Sequence, residues 1–328
     1  MLRKIMPDPF LLALVGTVIL ATVLPASGFF ATIVGWLSIT TVVLLFFFHG
    51  AKLAREEIIA GITHWRLHLA ILASTFVMFP LVGVITTRLL AGQMPPMLLT
   101  GILYLTTLPS TVQSAIAFVA MAHGNVGAAV ASASASQMLG IVLTPLLMGL
   151  LAGTHGGSAG LGAIGEVAVQ IFVPFIAGHL LRPFLKGWLA RNKALVHLTD
   201  RSTIIIAVYS AFSAAVIGGI WHQVALGSIA AIFAITAVLL AIGLGFSWGI
   251  GALCGFSRED RIALLFCGTK KSLVQGVPMA RVLFPGAGAG VVVLPVMIFH
   301  QMQLMACAFI ARGFANRYEK RESKDERA

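Results

Sequence analysis

A chain of 328 residues that is 59% hydrophobic and only 10% charged, with a mean hydropathy of +0.98, excludes a soluble domain of this size and reads as an integral membrane protein. The net charge of +11 does not imply nucleic acid, because the cations sit in short links between apolar runs, where membrane topology requires them. The runs are too long for barrel strands and lack strict alternation, so the predicted spans are helices.

Ten apolar segments follow one another, at 9–24, 30–49, 67–90, 96–122, 125–152, 167–185, 203–221, 226–254, 261–284 and 287–311. The first, flanked by Arg3 and Lys4 and by Pro25-Ala26-Ser27-Gly28, has the outline of a secretory signal. Leu24 is too large for a good cleavage site, so the segment is read as a span. Eighteen of the 22 lysines and arginines fall on one side of a ten-span arrangement. They are Arg3 and Lys4; Lys52, Arg55 and Arg66; Arg182, Lys186, Arg191, Lys193 and Arg201; Arg258 and Arg261; and six in the tail beyond Ala311. Only Arg88 and Arg281 fall on the other side, and Lys270 and Lys271 lie inside the ninth segment. This excess predicts a multi-pass protein of the cell (plasma or inner) membrane with both termini cytoplasmic.

The Gly/Ser-rich run from Thr154 to Gly162 divides five spans from five. An odd number of spans per half forces the halves into opposite orientations, an inverted repeat. The predicted organisation is a first five-helix repeat over 1–152, a link at 153–164, a second, inverted repeat over 165–316 and a charged cytoplasmic tail over 317–328. Matching interruptions support the division. Pro109-Ser110-Thr111-Val112-Gln113-Ser114 breaks the fourth segment and Gly268-Thr269-Lys270-Lys271-Ser272 the ninth, so that Thr-x-x-Ser occurs in both. Each is followed by a span with polar residues at mid-depth: Ser132, Ser134, Ser136 and Gln137 in the fifth, His300, Gln301 and Gln303 in the tenth.

Lys270 and Lys271 are the most informative charges. A helix beginning near Asp260 carries them about 15 Å into a hydrocarbon core about 30 Å thick. A charge at that depth costs at least about 2.5–3.5 kcal/mol and must face a bundle interior or a wet cavity. Snorkelling to an interface is the plainer alternative, and the depth argues against it. The flanking Gly268, Gly276 and Pro278 weaken the helix at the same level. Interrupted helices with polar groups at the midplane are how secondary transporters build substrate and ion sites. Ser110, Thr111, Gln113 and Ser114 offer oxygens beside freed backbone carbonyls, although small hydroxyl residues also pack membrane helices. None of the eleven acidic residues lies deep in a segment, which weighs against carboxylate catalysis, carboxylate-bound metal and an acidic proton relay. His300 is a second candidate proton carrier beside the lysines. Cys254, Cys267 and Cys307 are odd in number and read as packing residues.

The run Pro109-Ser110-Thr111-Val112-Gln113-Ser114-Ala115-Ile116-Ala117-Phe118, with His123-Gly124-Asn125-Val126, Ser132-Ala133-Ser134-Ala135-Ser136 and Leu143-Thr144-Pro145-Leu146-Leu147, resembles the bile acid:sodium symporter family. Phe48-His49-Gly50-Ala51-Lys52-Leu53 and Phe266-Cys267-Gly268-Thr269-Lys270-Lys271-Ser272-Leu273 resemble its branch containing solute carrier family ten, member seven. The resemblance implies ten helices in two inverted repeats, sorted into a panel and a core domain. It also implies a crossing of the broken fourth and ninth helices where an organic anion and sodium bind. The sequence departs from the sodium-coupled members at that crossing. Their Ser-Asn pair is met by Gln113-Ser114 with a one-residue offset, and their hydroxyls by Ser134. Phe266 stands about where they have Glu, and Lys270 near their Gln. Two positive charges about 4 Å apart repel by roughly 4 kcal/mol at an effective dielectric of 20, so sodium at the second break is disfavoured.

The expectation is an all-α membrane protein that is no enzyme but a symporter-like secondary active transporter, moving a small organic anion by alternating access, without a bound cofactor and coupled to Na+ or H+. Its predicted substrate and ion site comprises Ser110, Thr111, Gln113, Ser114, Ser134, Gln137, Gly268, Thr269, Lys270, Lys271, Ser272, Gln275, His300 and Gln301, with candidate sodium ligands Thr111, Gln113, Ser114 and Ser134. The alternative from another class is a non-transporting membrane scaffold or regulator acting through the tail.

Overall fold

The computed structural model describes residues 9–52, 64–152, 168–219, 226–286 and 288–325, and every regular element among them is helical. The expected link at 153–164, Glu166, Arg3, Lys4 and Arg55 lie outside the described residues.

The first half begins with α1 (Pro9–Val23), which stops short of Pro25, and α2 (Gly28–Lys52). Next, α3 (Trp65–Ala73) runs through a π-helical turn at Ser74–Met78 into α4 (Phe79–Leu89). A proline in mid-helix lacks an N–H and its ring crowds the carbonyl four residues back, and a π-turn widens the helix where that carbonyl sits. Pro80 stands two residues beyond this turn. Pro174 stands likewise two residues beyond a second π-turn, at Ala168–Phe172. The fourth expected segment is two helices, α5 (Pro96–Thr107) and α6 (Gln113–Met121), and α7 (Val126–Ala152) follows.

In the second half, α8 (Val173–Arg191), α9 (Lys193–Ile217) and α10 (Leu226–Leu253) precede another divided segment, α11 (Arg258–Thr269) and α12 (Leu273–Leu283). Ser257 caps α11 by accepting from the Asp260 N–H at 3.1 Å, with Glu259 and Asp260 in its first turn. The last helix, α13 (Gly288–Asp325), runs on past the predicted end at Ala311. Six helices among the described residues are long and apolar enough to cross a membrane, and Leu12–Val23 and Pro96–Thr107 are shorter apolar helices. The chain is a multi-pass membrane protein.

Two compact units divide it: unit 1 takes 1–53, 158–226 and 276–294, and unit 2 takes 54–157, 227–275 and 295–328. In unit 1, α2 packs on α8 and α9, and α1 packs on α9. The α2–α8 contact is backbone against backbone. A Cβ on Gly50 would fall on the Phe175 carbonyl, and a Cβ on Gly178 on the Phe47 carbonyl, the small-residue approach typical of membrane helices. In unit 2, α11 packs against α3, α6, α7 and the first π-turn, while α5 lies on α4 and α7. Its buried core includes Leu67, Ile71, Ala129, Leu264, Phe266 and Cys307.

Candidate functional site: the joined breaks of unit 2

The first break follows from Pro109. A residue before proline avoids helical geometry, and Leu108 is extended, with φ −67° and ψ 149°, directly after α5. No proline acts at the second break, yet Lys270 takes nearly the same conformation, φ −77° and ψ 147°, directly after α11. There the backbone is held by a side chain. The Lys271 N–H donates to Gln303 Oε1 at 2.8 Å, and Gln303 Nε2 donates back to the Lys271 carbonyl at 2.9 Å, so the amide stands in for a neighbouring strand. The breaks join where the Ser272 N–H donates to the Pro109 carbonyl at 2.8 Å. The Ser110 N–H donates to Ser136 Oγ at 3.0 Å, and Thr144 Oγ1 donates to the Thr107 carbonyl at 2.8 Å. Backbone groups freed by the breaks thereby find partners without water, as non-helical chain at membrane depth requires.

Leu108 and Lys270 are thus extended residues at matching points of the two breaks. Thr107-x-x-Ser110 and Thr269-x-x-Ser272 flank them alike. The expected counterpart, Thr111-x-x-Ser114, lies one step downstream, where the Thr111 and Ser114 hydroxyls are 2.9 Å apart and bonded to each other.

Both lysine side chains are buried, Lys270 at 0% and Lys271 at 1% exposure, so neither reaches an aqueous surface and the snorkelling alternative fails. Their surroundings differ. Lys271 Nζ donates to the carbonyls of Thr75 at 2.9 Å, Thr106 at 2.8 Å and Leu108 at 2.8 Å, and sits 4.4 Å from the centre of the Phe79 ring. Lys270 Nζ has no hydrogen-bond acceptor among the described residues and lies 4.2 Å from the centre of the Phe118 ring. A desolvated cation over an aromatic face gains about 2 kcal/mol, less than a full set of acceptors returns.

The other predicted residues are brought together unequally. Gln137 Nε2 donates to Ser272 Oγ at 3.5 Å, the Gln275 N–H donates to the same hydroxyl at 3.4 Å, and Gln275 Nε2 donates to the Gln137 carbonyl at 3.0 Å. The Thr269 and Ser247 hydroxyls are 3.2 Å apart, and Gly268 lets Ser74 approach closely. Gln303 Nε2 lies 2.9 Å from His300 Nδ1. Because the Gln303 oxygen is already accepting from Lys271, the amide nitrogen is the donor and Nδ1 the acceptor. Gln113 is exposed, and Ser134 and Gln301 are half-buried; among the described residues, neither Ser134 nor Gln301 has a hydrogen bond that ties it to the crossing. Two of the four expected sodium ligands, Thr111 and Ser114, are bonded to each other.

Residues outside the predicted set also build the site. Gln303 and Ser136 hold the breaks, and Thr75, Thr106 and Leu108 act through main-chain oxygens. Ser74 Oγ and Gln275 Oε1 are buried without partners. His68 is buried and shares a 2.6 Å hydrogen bond with Ser132. At one end of unit 2, Asn125 caps α7 through Oδ1 on the Ala128 N–H at 3.0 Å, and its Nδ2 donates to Asp260 Oδ1 at 2.8 Å. Unit 1 separately holds a cavity of about 340 Å³ lined by Ser38, Gln170 and Arg281 among others, and by none of the predicted site residues.

The sequence profile described as the SBF-like CPA transporter family matches residues 8–316. The chain is 49% identical over 319 residues to the Escherichia coli (strain K12) protein named "Putative symporter YfeH", covering 97% of this chain and 96% of that protein. It is 51% identical over 316 residues to the Pseudomonas aeruginosa protein PA2026, covering 96% and 95%. It is 28% identical over 271 residues to the Rattus norvegicus sodium/bile acid cotransporter 7, covering 82% and 80%. The chain belongs to the SBF-like CPA transporter family and is a transporter rather than an enzyme.

Proposed function

We propose that the protein is a symporter-like secondary active transporter that carries a small organic anion by alternating access. The observation that carries this reading is the lysine pair at the joined breaks: two buried amines with no carboxylate among the described residues there, one of them, on Lys270, without an acceptor among those residues. A buried cation lacking its hydrogen bonds is costly, and an anionic headgroup is the complementary ligand. The unpartnered Gln275 Oε1 and Ser74 Oγ add polar contacts for the rest of a substrate or for water.

The proposal takes the architecture as ten spans in two inverted repeats, 1–152 and 165–316, in the cell membrane with cytoplasmic termini. The exchange of spans one and six, and two and seven, supports it: the α1–α9 and α2–α8 packings of unit 1 map onto each other under that exchange. The coupling ion is Na+ or H+. Sodium has Thr111 and Ser114 as its candidate ligands. A proton has His300, where protonation at Nδ1 would displace the Gln303 amide and so loosen the backbone of Lys271.

Sodium and bile acids, in the name of the rat relative, make taurocholate the first probe, followed by small mono- and dicarboxylates. Proteoliposomes holding the purified protein should take up one of these anions under a sodium or proton gradient. Uptake should fall more than tenfold in Lys270→Ala/Lys271→Ala. Uptake unchanged in that double variant ends the lysine-based reading.

A further inference from the structure

The cage around Lys271 Nζ is made of backbone alone. Thr106 lies in the last turn of α5, where carbonyls have no partner further along the helix, and Leu108 is the extended residue directly after it. Thr75 lies in the π-helical turn, where the helical bonding pattern shifts and turns a carbonyl outward. Three carbonyl oxygens from two irregularities thus converge at 2.8–2.9 Å on one point, and the Phe79 ring closes a further side at 4.4 Å. An ammonium has three N–H donors and no acceptor, so this cage satisfies it completely. Carbonyl dipoles without a carboxylate replace the hydration shell of a monovalent ion, whereas a divalent ion calls for charged oxygens.

We propose that the Thr75, Thr106 and Leu108 carbonyls form a monovalent-cation site whose permanent occupant is the covalently attached ammonium of Lys271. Building on the reading of unit 2 as the substrate-binding half of a carrier, this fixes the positive charge there throughout the cycle. No inorganic ion is taken up or released at this point, and Lys270, one residue earlier, is left as the group that meets the anion. Coupling then runs through a different ion or group.

The test is a thermal unfolding series on the full-length protein in detergent, and it needs no transport substrate. Lys271→Ala removes the ammonium and three methylenes, a space that n-propylammonium matches. Its melting temperature should be lower than that of the wild type. Ammonium or n-propylammonium chloride should restore it by about 3 °C or more in a saturable way. Tetramethylammonium chloride at equal ionic strength, too large and without N–H donors, should not. The wild type should respond to none of them. Where Lys271→Ala yields no folded protein, the same salts are present during extraction and the monodisperse yield is read instead, with Lys271→Gln, whose amide keeps two donors, measured in parallel. Cation-specific recovery in either readout supports the site. Indifference of both variants to every cation in both readouts overturns it. A carrier can fail this test and a non-carrier can pass it, so the result is independent of the uptake assay.

Discussion

Lys270 and Lys271 are neighbours in sequence with opposite demands on the fold. The caged ammonium of Lys271 is worth three hydrogen bonds to a charged donor, each about 1.5–3 kcal/mol, and its loss should lower stability. Lys270, with no acceptor, should be dispensable for folding: Lys270→Met is expected to unfold at or above the wild-type temperature while losing uptake, as when an unpaired buried charge is replaced by apolar volume. Gln303→Leu, which strips both bonds from the Lys271 backbone, should cost about 1–3 kcal/mol. Denaturation in detergent of the two variants side by side checks this ordering, and a Lys270→Met protein less stable than Gln303→Leu would contradict it. The burial of the lysine pair was legible in the sequence because a charge at mid-depth has few explanations. The difference between its members was not, since the partners of Lys271 are main-chain oxygens that every residue owns, and no side-chain type marks Thr75, Thr106 or Leu108 as the acceptors of a cage.

At the level of elements, the break after α5 was readable from Pro109, because a missing N–H and a crowded preceding residue are local properties. The break after α11 was readable from its polar composition and the flanking Gly268, Gly276 and Pro278, but the partner that shapes it, Gln303, is 32 residues away from Lys271. Hydroxyl residues are dense around Thr107 to Ser114, and only backbone angles place Leu108 and Lys270 at matching points of the two breaks. The π-turns escaped as well, although Pro80 and Pro174 stand just beyond them and supply the physical cause. Helix α7 carries a test of how tightly the first break is held. A Cβ on Gly140 would run into the ring of Pro109, whereas one on Gly127 would meet only Asn125 Oδ1 at an ordinary 3.7 Å. Gly140→Ala should therefore displace the break at a cost of about 1–3 kcal/mol and depress uptake, with Gly127→Ala close to wild type. Equal uptake in the two would show that the break tolerates movement.

For the molecule as a whole, composition and the placement of cations were enough to read a multi-pass helical membrane protein, and sequence comparison establishes a transporter. The sidedness of the chain rests on Lys and Arg counts and has a direct test. Gln93 and Asn316 are exposed, at the α4–α5 turn and near the end of α13, and the proposed topology puts them on opposite faces. In a Cys254→Ala background, where the remaining Cys267 and Cys307 are buried, a membrane-impermeant maleimide should label Gln93→Cys from outside intact cells and Asn316→Cys only after permeabilisation. Labelling of both from one face would remove the ten-span arrangement. The tail, meanwhile, is tied back to unit 2 at its start. Tyr318 stacks on His123 at 4.1 Å, with Arg258 5.7 Å from the centre of the Tyr318 ring, which weakens the reading of the tail as a free docking arm.

The length of α13 has a practical side. At 38 residues it extends for about 57 Å, well beyond what a bilayer about 30 Å thick consumes. A carrier this small offers single-particle imaging almost nothing to align on, but a helical fusion partner spliced in phase onto the protruding end of α13 would turn with unit 2 as a handle. Because Tyr318 anchors that end on His123, the handle would report the orientation of the unit that holds both lysines.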